Sequence, residues 1–202
     1  MPTLQIQIVQ RIQAFMLRIC LSFGLILLMS ISIQAQNSSV EPGQAAKIEW
    51  LSLEEAIQAS LKEPKKIFID VYTSWCGWCK VMDRKTFAHP EIAAYMNENF
   101  YAVKFDGEYK EEIDLNGQKF KFVANGRRGY HELAAALLNN RMSYPSCVVM
   151  GSDWKRLSII PGYNDPADLD RILRFFAKDL YTDTSFEEYK KEYTSDLKEV
   201  GQ

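Results

Sequence analysis

Cys76-Gly77-Trp78-Cys79 is the stretch whose residue types and spacing could do chemistry. Two thiols three positions apart at the start of a helix lie on one face, near enough for their sulfurs to bond. The first would stand among unpaired backbone N–H groups at the positive end of the helix, which favour a thiolate. The second, one turn deeper, is expected to be more shielded and to keep its proton until needed. Such a pair suits thiol–disulfide exchange, with Cys76 forming a mixed disulfide that Cys79 resolves. Half of a zinc site has the same spacing. The sequence holds no second C-x-x-C and no H-x-x-x-H, so Cys147, His89, His131 or carboxylates would have to complete it; no metal is expected. A purely structural disulfide here would close a tight loop and add little restraint to a fold of this size.

The flanking elements fit the exchange reading. KKIFIDVYTSW, ending at Trp75, is β-branched and aromatic, too short for a buried helix and suited to a central strand. Before it, Ser52 and Glu55 have capping-box spacing, Leu53, Ala56, Ile57 and Leu61 form a helical stripe, and Pro64 closes the helix. After the cysteines come helical VMDRKTF, a helix from Pro90 and a second strand, YAVKFD. Strand–helix–strand favours parallel pairing. Residues 107–142 are less regular, with Asn116-Gly117 marking a hairpin and Gly129–Asn140 reading as an apolar-striped helix. Two strands then surround a turn at Gly151-Ser152-Asp153, and Asp165–Lys178 is a helix with Leu169, Ile172, Leu173 and Phe176 on one face. Residues 182–202 read as a charged tail that extends this helix or frays.

Of the 202 residues, 47% are hydrophobic and 25% charged, which excludes a fibrous, collagen-like or wholly disordered chain. A net charge of −2 gives no cationic excess for tracking phosphates, so no nucleic acid is expected as a partner. Residues 1–35 carry Arg11, Arg18, no acid and an apolar run from Ile19 to Ile33. They read as a signal peptide cut after Ala35, with Met16 as a second candidate start. An uncleaved anchor is the competing reading, but the run falls short of the roughly 20 apolar residues a spanning helix needs. The bulky Leu-Arg-Ile before Cys20 argues against lipid attachment there. Residues 36–46 read as a flexible linker, residues 47–181 as one domain. Losing the signal also removes Cys20, which leaves too few cysteines for a disulfide-rich scaffold, so an apolar core must hold the fold.

Ile69-Asp70-Val71-Tyr72-Thr73-Ser74-Trp75-Cys76-Gly77-Trp78-Cys79-Lys80 resembles the active-site strand, loop and helix start of the thioredoxin superfamily. Tyr144-Pro145 before a late strand and Gly162 in the final strand carry the resemblance over about residues 47–180. It is similar to exported bacterial thioredoxin-like proteins with a Trp-Cys-Gly-Trp-Cys-Lys motif. The resemblance implies an α/β thioredoxin fold, a central mixed sheet flanked by helices, with an insertion at about 107–142 before the cis-proline strand. It also implies a thiol–disulfide oxidoreductase without bound organic cofactor, periplasmic, acting on protein disulfides and dithiols. Electrons would come from a membrane or periplasmic thiol donor.

By the same resemblance, Cys76 is the nucleophile and Cys79 the resolving thiol. Asp70 is the buried acid that relays a proton, with Lys104 its strand neighbour. Pro145 is the cis-proline, offering the Tyr144 backbone to an extended substrate. Trp75 borders the substrate groove or packs in the core, and Gly77, Trp78 and Gly162 complete the substrate-binding set. Trp78 replaces the proline or histidine of commoner loops, and neither it nor Gly77 offers a cation to the Cys76 thiolate. That weakly favours a reductase or isomerase over a strong oxidase. Cys147 reads as a buried core thiol or an auxiliary thiol; His89 and His131 read as structural or solvated. The competing class is a binding or assembly module whose cysteine pair is structural or idle. A peroxide-reducing enzyme is disfavoured, since no supporting Thr or Arg surrounds Cys76.

Overall fold

Lys66–Tyr72 forms β2, the strand on which the sheet is built, and its residues Ile67 to Val71 are all buried. A strand covered on both faces reads as a continuous apolar run. The computed structural model describes residues 46–115 and 117–198. The segment expected to be a signal peptide (with Met16 and Cys20), the expected linker up to residue 45, Asn116 and residues 199–202 lie outside the described residues.

Short β1 (Trp50–Leu51), β2 and β3 (Phe100–Asp106) run parallel, and β8 (Ser146–Met150) and β9 (Arg156–Pro161) add antiparallel. Their order is β1-β3-β2-β8-β9, a central mixed sheet of thioredoxin type. Alternation along β2 divides the core. Ile67, Ile69 and Val71 pack under α1 (Leu53–Lys62) and α4 (Glu132–Leu137). Phe68 faces α2 (Gly77–Met82), α3 (Pro90–Asn99) and α5 (Pro166–Ala177). Asp70 shares the Phe68 face, so the strand's period carries an acid beneath the cysteine helix.

Several local expectations hold. Ser52 and Glu55 form the capping box of α1, and Glu63 ends it. The stripe is Leu53, Ala56, Ile57 and Ser60, however; Leu61 is exposed, because the helix leans on the sheet one residue earlier. A π-helical turn, Asp83–Phe87, follows α2, and Thr86 Oγ1 donates to the Asn164 carbonyl at 2.8 Å. His89 caps α3.

The insertion is better ordered than its sequence implies. It holds two hairpins, β4 (Ile113–Leu115) with β5 (Gln118–Phe120), and β6 (Phe122–Asn125) with β7 (Arg128–His131). The first is the hairpin expected around Gly117. The second corrects the expected helix over 129–140: Gly129–His131 belong to β7, and α4 starts only at Glu132. Buried His131 sets the boundary, its Nδ1 accepting from the Leu133 N–H at 3.2 Å.

The tail is not an extension of α5. Asp179, with φ 55°, turns the chain out of that helix into a 3-10 turn at Leu180–Thr182. A separate α6 (Phe186–Glu192), capped by Ser185 and Glu188, follows. Its Phe186 and Tyr189 rings pack 5.2 and 5.3 Å from Phe175, and Tyr193 donates to buried Asp170 at 2.7 Å. Aromatic contacts the helical period does not report therefore fix this segment.

Candidate active site

Cys76 and Cys79 are joined by a disulfide at the start of α2, with Cα atoms 5.3 Å apart. Cys76 is the N-cap, where an extended backbone leaves the first helical N–H groups unpaired. The Cys79 N–H points at Cys76 Sγ, 3.0 Å away. A sulfur in that position is stabilised as a thiolate once the disulfide opens. In the oxidised state both cysteines are buried alike, 4% and 3% exposed, rather than Cys79 alone being shielded. The exposed neighbours are the tryptophans, Trp75 at 46% and Trp78 at 62%. A core-only role for Trp75 is thereby excluded. Gly77, the first helical residue, has open space where a β-carbon would stand.

The Tyr144–Pro145 peptide is cis. Pro145 accepts from the Gly162 N–H at 2.9 Å, and Gly162 takes φ +93°, a conformation that favours glycine. Trp78, Tyr144, Pro145, Gly162 and Tyr163 line one groove of about 300 Å³. The loop between the cysteines and the proline-braced strand thus share a cleft, although 66 positions separate Cys79 from Pro145. Its walls are aromatic: Trp78 lies 5.4 Å from Tyr163, and Trp75 meets Tyr144 edge-on at 5.9 Å.

On the sheet face that α2 covers, three neighbouring strands set one row of side chains. Asp70 on β2 is opposite Lys104 on β3 and Cys147 on β8. Lys104 Nζ donates to Asp70 Oδ2 at 3.0 Å and to Asp83 Oδ1, and lies over the rings of Trp50 and Tyr72. Burial nevertheless dominates at Asp70 and raises its pKa from 3.8 to about 6 against the pull of Lys104. Burial pulls Lys104 down, but the two carboxylates outweigh it and hold its pKa above the usual value. Asp70 Oδ1 is buried without a hydrogen-bond partner among the described residues. Cys147 is a free thiol, fully buried, which lifts its pKa well above the ordinary cysteine range, with the charge of Asp70 adding to this. It sits in the core beside Phe68 and Val149, as the simpler expectation has it.

Two site residues escaped the sequence reading. Asp83 follows Cys79 by four positions, so helix spacing could have placed it on the cysteine's side. Arg128 had no such signal: it lies over Trp75, 3.9 Å from the ring centre, because β6–β7 folds back against the site. The insertion thus supplies a cation beside a loop that has none of its own. Trp75, Glu108, Arg128, Tyr130 and Tyr144 line a second cavity of about 300 Å³. Of the histidines, His89 and His131 both cap helices. Among the described residues no group of three or more His, Cys, Asp or Glu side chains could hold a metal.

A family model described as "Thioredox_DsbH: Protein of unknown function, DUF255" matches residues 33–148, more than half of the chain and all of the cysteine loop, Asp70, Lys104 and Pro145. "Uncharacterized protein B0495.5" of Caenorhabditis elegans is 33% identical over 84 residues, 41% of this chain and 12% of that protein. "Spermatogenesis-associated protein 20" of Rattus norvegicus is 39% identical over 68 residues, 33% of this chain and 9% of that protein. The chain thus spans about a tenth of the length of these curated relatives. Among solved structures, "DsbH Oxidoreductase" aligns with TM-score 0.49 and 19% identity, over 69% of this chain and 90% of that one. A "putative disulphide-isomerase from Bacteroides thetaiotaomicron" aligns with TM-score 0.47 and 24% identity, over 67% and 97%.

Proposed function

Because the chain belongs to the thioredoxin-fold family Thioredox_DsbH and carries the cysteine pair of a thiol–disulfide oxidoreductase, we propose that it exchanges that pair with protein disulfides in the cell envelope. The direction favoured is reduction or isomerisation rather than strong oxidation. The observation that carries this is the Cys76–Cys79 disulfide at the mouth of α2, the helix that follows the strand holding buried Asp70. The envelope rests on the basic and apolar leader in residues 1–35, which also supports a membrane or periplasmic thiol donor.

The reaction starts from the reduced protein. The Cys76 thiolate attacks one sulfur of a substrate disulfide; that bond breaks and the other substrate sulfur leaves as a thiolate, which takes a proton. Cys76 is now in a mixed disulfide. Cys79 gives its proton to the Asp70 carboxylate, at the oxygen that Lys104 leaves unengaged. The Cys79 thiolate attacks Cys76 Sγ, releasing the second substrate sulfur, which is protonated in turn. Two electrons have passed: the substrate disulfide has become two thiols, and the protein dithiol has become the 76–79 disulfide. In isomerisation a second substrate thiol resolves the mixed disulfide instead. An Asp70 pKa of about 6 suits this exchange, since near neutrality the carboxylate is ionised yet accepts a proton at little cost. The Trp78–Pro145 groove offers the substrate an apolar bed and the Tyr144 backbone for pairing.

Insulin reduction with dithiothreitol tests the proposal. Wild type accelerates precipitation, C76S falls to the uncatalysed rate, and C79S accumulates a mixed disulfide that mass spectrometry detects. Equal turnover by wild type and C76S would leave the cysteine pair idle and favour a binding or assembly module.

A further inference from the structure

The exposed side of the site holds a charge that the exchange chemistry does not use. Arg128 closes the β6–β7 hairpin opposite Asn125, and its guanidinium lies over the Trp75 indole. A guanidinium that stacks on an aromatic face keeps its N–H donors along its edges for other partners. Among the described residues no hydrogen bond or ion pair engages those donors, and the ring that Arg128's guanidinium lies over is that of Trp75.

The group is held in place from behind. At the far end of its strand, His131 is fully buried, donates its backbone N–H to the Gly107 carbonyl at 2.8 Å, and holds its Nε2 3.1 Å from the Glu111 carbonyl. Its ring packs 5.6 Å from Phe105. Arg128 therefore rides on an anchored strand rather than a free loop. Trp75 precedes Cys76 in sequence, and its ring meets Tyr144, the residue before cis-Pro145. Arg128, Trp75 and Tyr144 make one wall, whose Trp75 stands next to Cys76 in the chain.

We propose that Arg128 is a specificity-determining residue, whose guanidinium takes the carboxylate of an acidic side chain close to the substrate's reacting cysteine. This deepens the oxidoreductase reading and rests on it. A guanidinium held over a ring with its donors unpaired is suited to receive a carboxylate through paired N–H donors. Glu108 is the other charged group lining this cavity. Its carboxylate repels an acidic side chain from its own side, which restricts the acid to the Arg128 end, and a basic side chain meets repulsion at Arg128.

Single-turnover reduction of short peptide disulfides tests the assignment. The peptides are acetylated and amidated, so that no terminal carboxylate competes, and carry Glu, Gln or Lys in turn at each position flanking the cysteine. Reduced wild-type protein should react about three- to fivefold faster with Glu than with Gln at one of these positions, the size expected of a partly exposed charge pair. Lys at that position should be slower than Gln. In R128Q the Glu-to-Gln ratio should collapse to about one; in R128K, which keeps the charge without the planar fork, part of it should survive. R127Q, at the hairpin tip, should keep the full ratio. Equal rates for Glu and Gln throughout, or a ratio that persists in R128Q, would overturn the assignment. Should wild type reduce no peptide faster than C76S does, the oxidoreductase reading itself falls, and this assignment with it.

Discussion

The two sides of the disulfide differ in kind. On the side of β2, the lower side, Asp70, Lys104 and Asp83 form a cluster in which Asp70 is 1% exposed and tied to the lysine by direct contact. On the upper side, Trp75, Arg128, Trp78 and Tyr144 present rings and one cation to solvent. Burial makes charge costly, so the lower side is where a proton's position can be controlled. Exposure makes the upper side cheap to vary without loss of stability, and suited to choosing partners.

Changing Asp70 tests the lower side and should have the largest effect. D70N should slow resolution of the mixed disulfide about 100- to 10,000-fold at pH 7, the range for losing a positioned base. It should also stabilise the oxidised protein. The folded pKa of Asp70, about 6, lies above its unfolded value near 3.8, so its contribution is fully present below pH 4 and is lost as pH rises to 6. D70N should therefore match wild type in urea unfolding at pH 3.5 and exceed it by roughly 1–3 kcal/mol at pH 7.5. An equal gap at both pH values would mean that the carboxyl does not titrate as its burial requires.

Gly107 joins the two sides through the insertion. A β-carbon there would collide with the Tyr144 hydroxyl and stand 2.8 Å from its ring, so the ring, which meets Trp75 edge-on, must shift. G107A is expected to lower stability by about 1–3 kcal/mol through overpacking. It should also weaken peptide-disulfide turnover several-fold. Full activity in G107A would show that the upper wall does not depend on Tyr144's place.

Trp78 should give the smallest change. W78A is expected to leave the denaturation midpoint within about 0.5 kcal/mol of wild type, as an exposed side chain should. Its KM for peptide disulfides should rise a few-fold with kcat little altered. A large loss of stability would instead assign Trp78 to the core together with Tyr163.

Much of this organisation was legible in the chain itself. The Ser52–Glu55 box, the buried run of β2, the turn at Gly117 and the apolar face of α5 are signals that act within a few residues. The helix over 129–140 misled because LAAALL has helical period regardless of what precedes it; what stops it is His131, buried against Phe105 and capping from outside. Likewise α6 has an ordinary capping box, but its place is set by Phe175 and Asp170 on another helix. Cys147 and Asp70 look unrelated 77 positions apart; antiparallel register sets them side by side.

Alone, the order of residues determined that two thiols share a helix start after a buried strand, because spacing, capping and alternation are properties of neighbours. Tertiary structure decided which charges meet them. Lys104 reaches Asp70 across 34 positions and Asp83 across 21, and Arg128 reaches Trp75 only after a hairpin folds back. Such pairings are set by strand register and by how chain segments pack against one another, which no local pattern encodes.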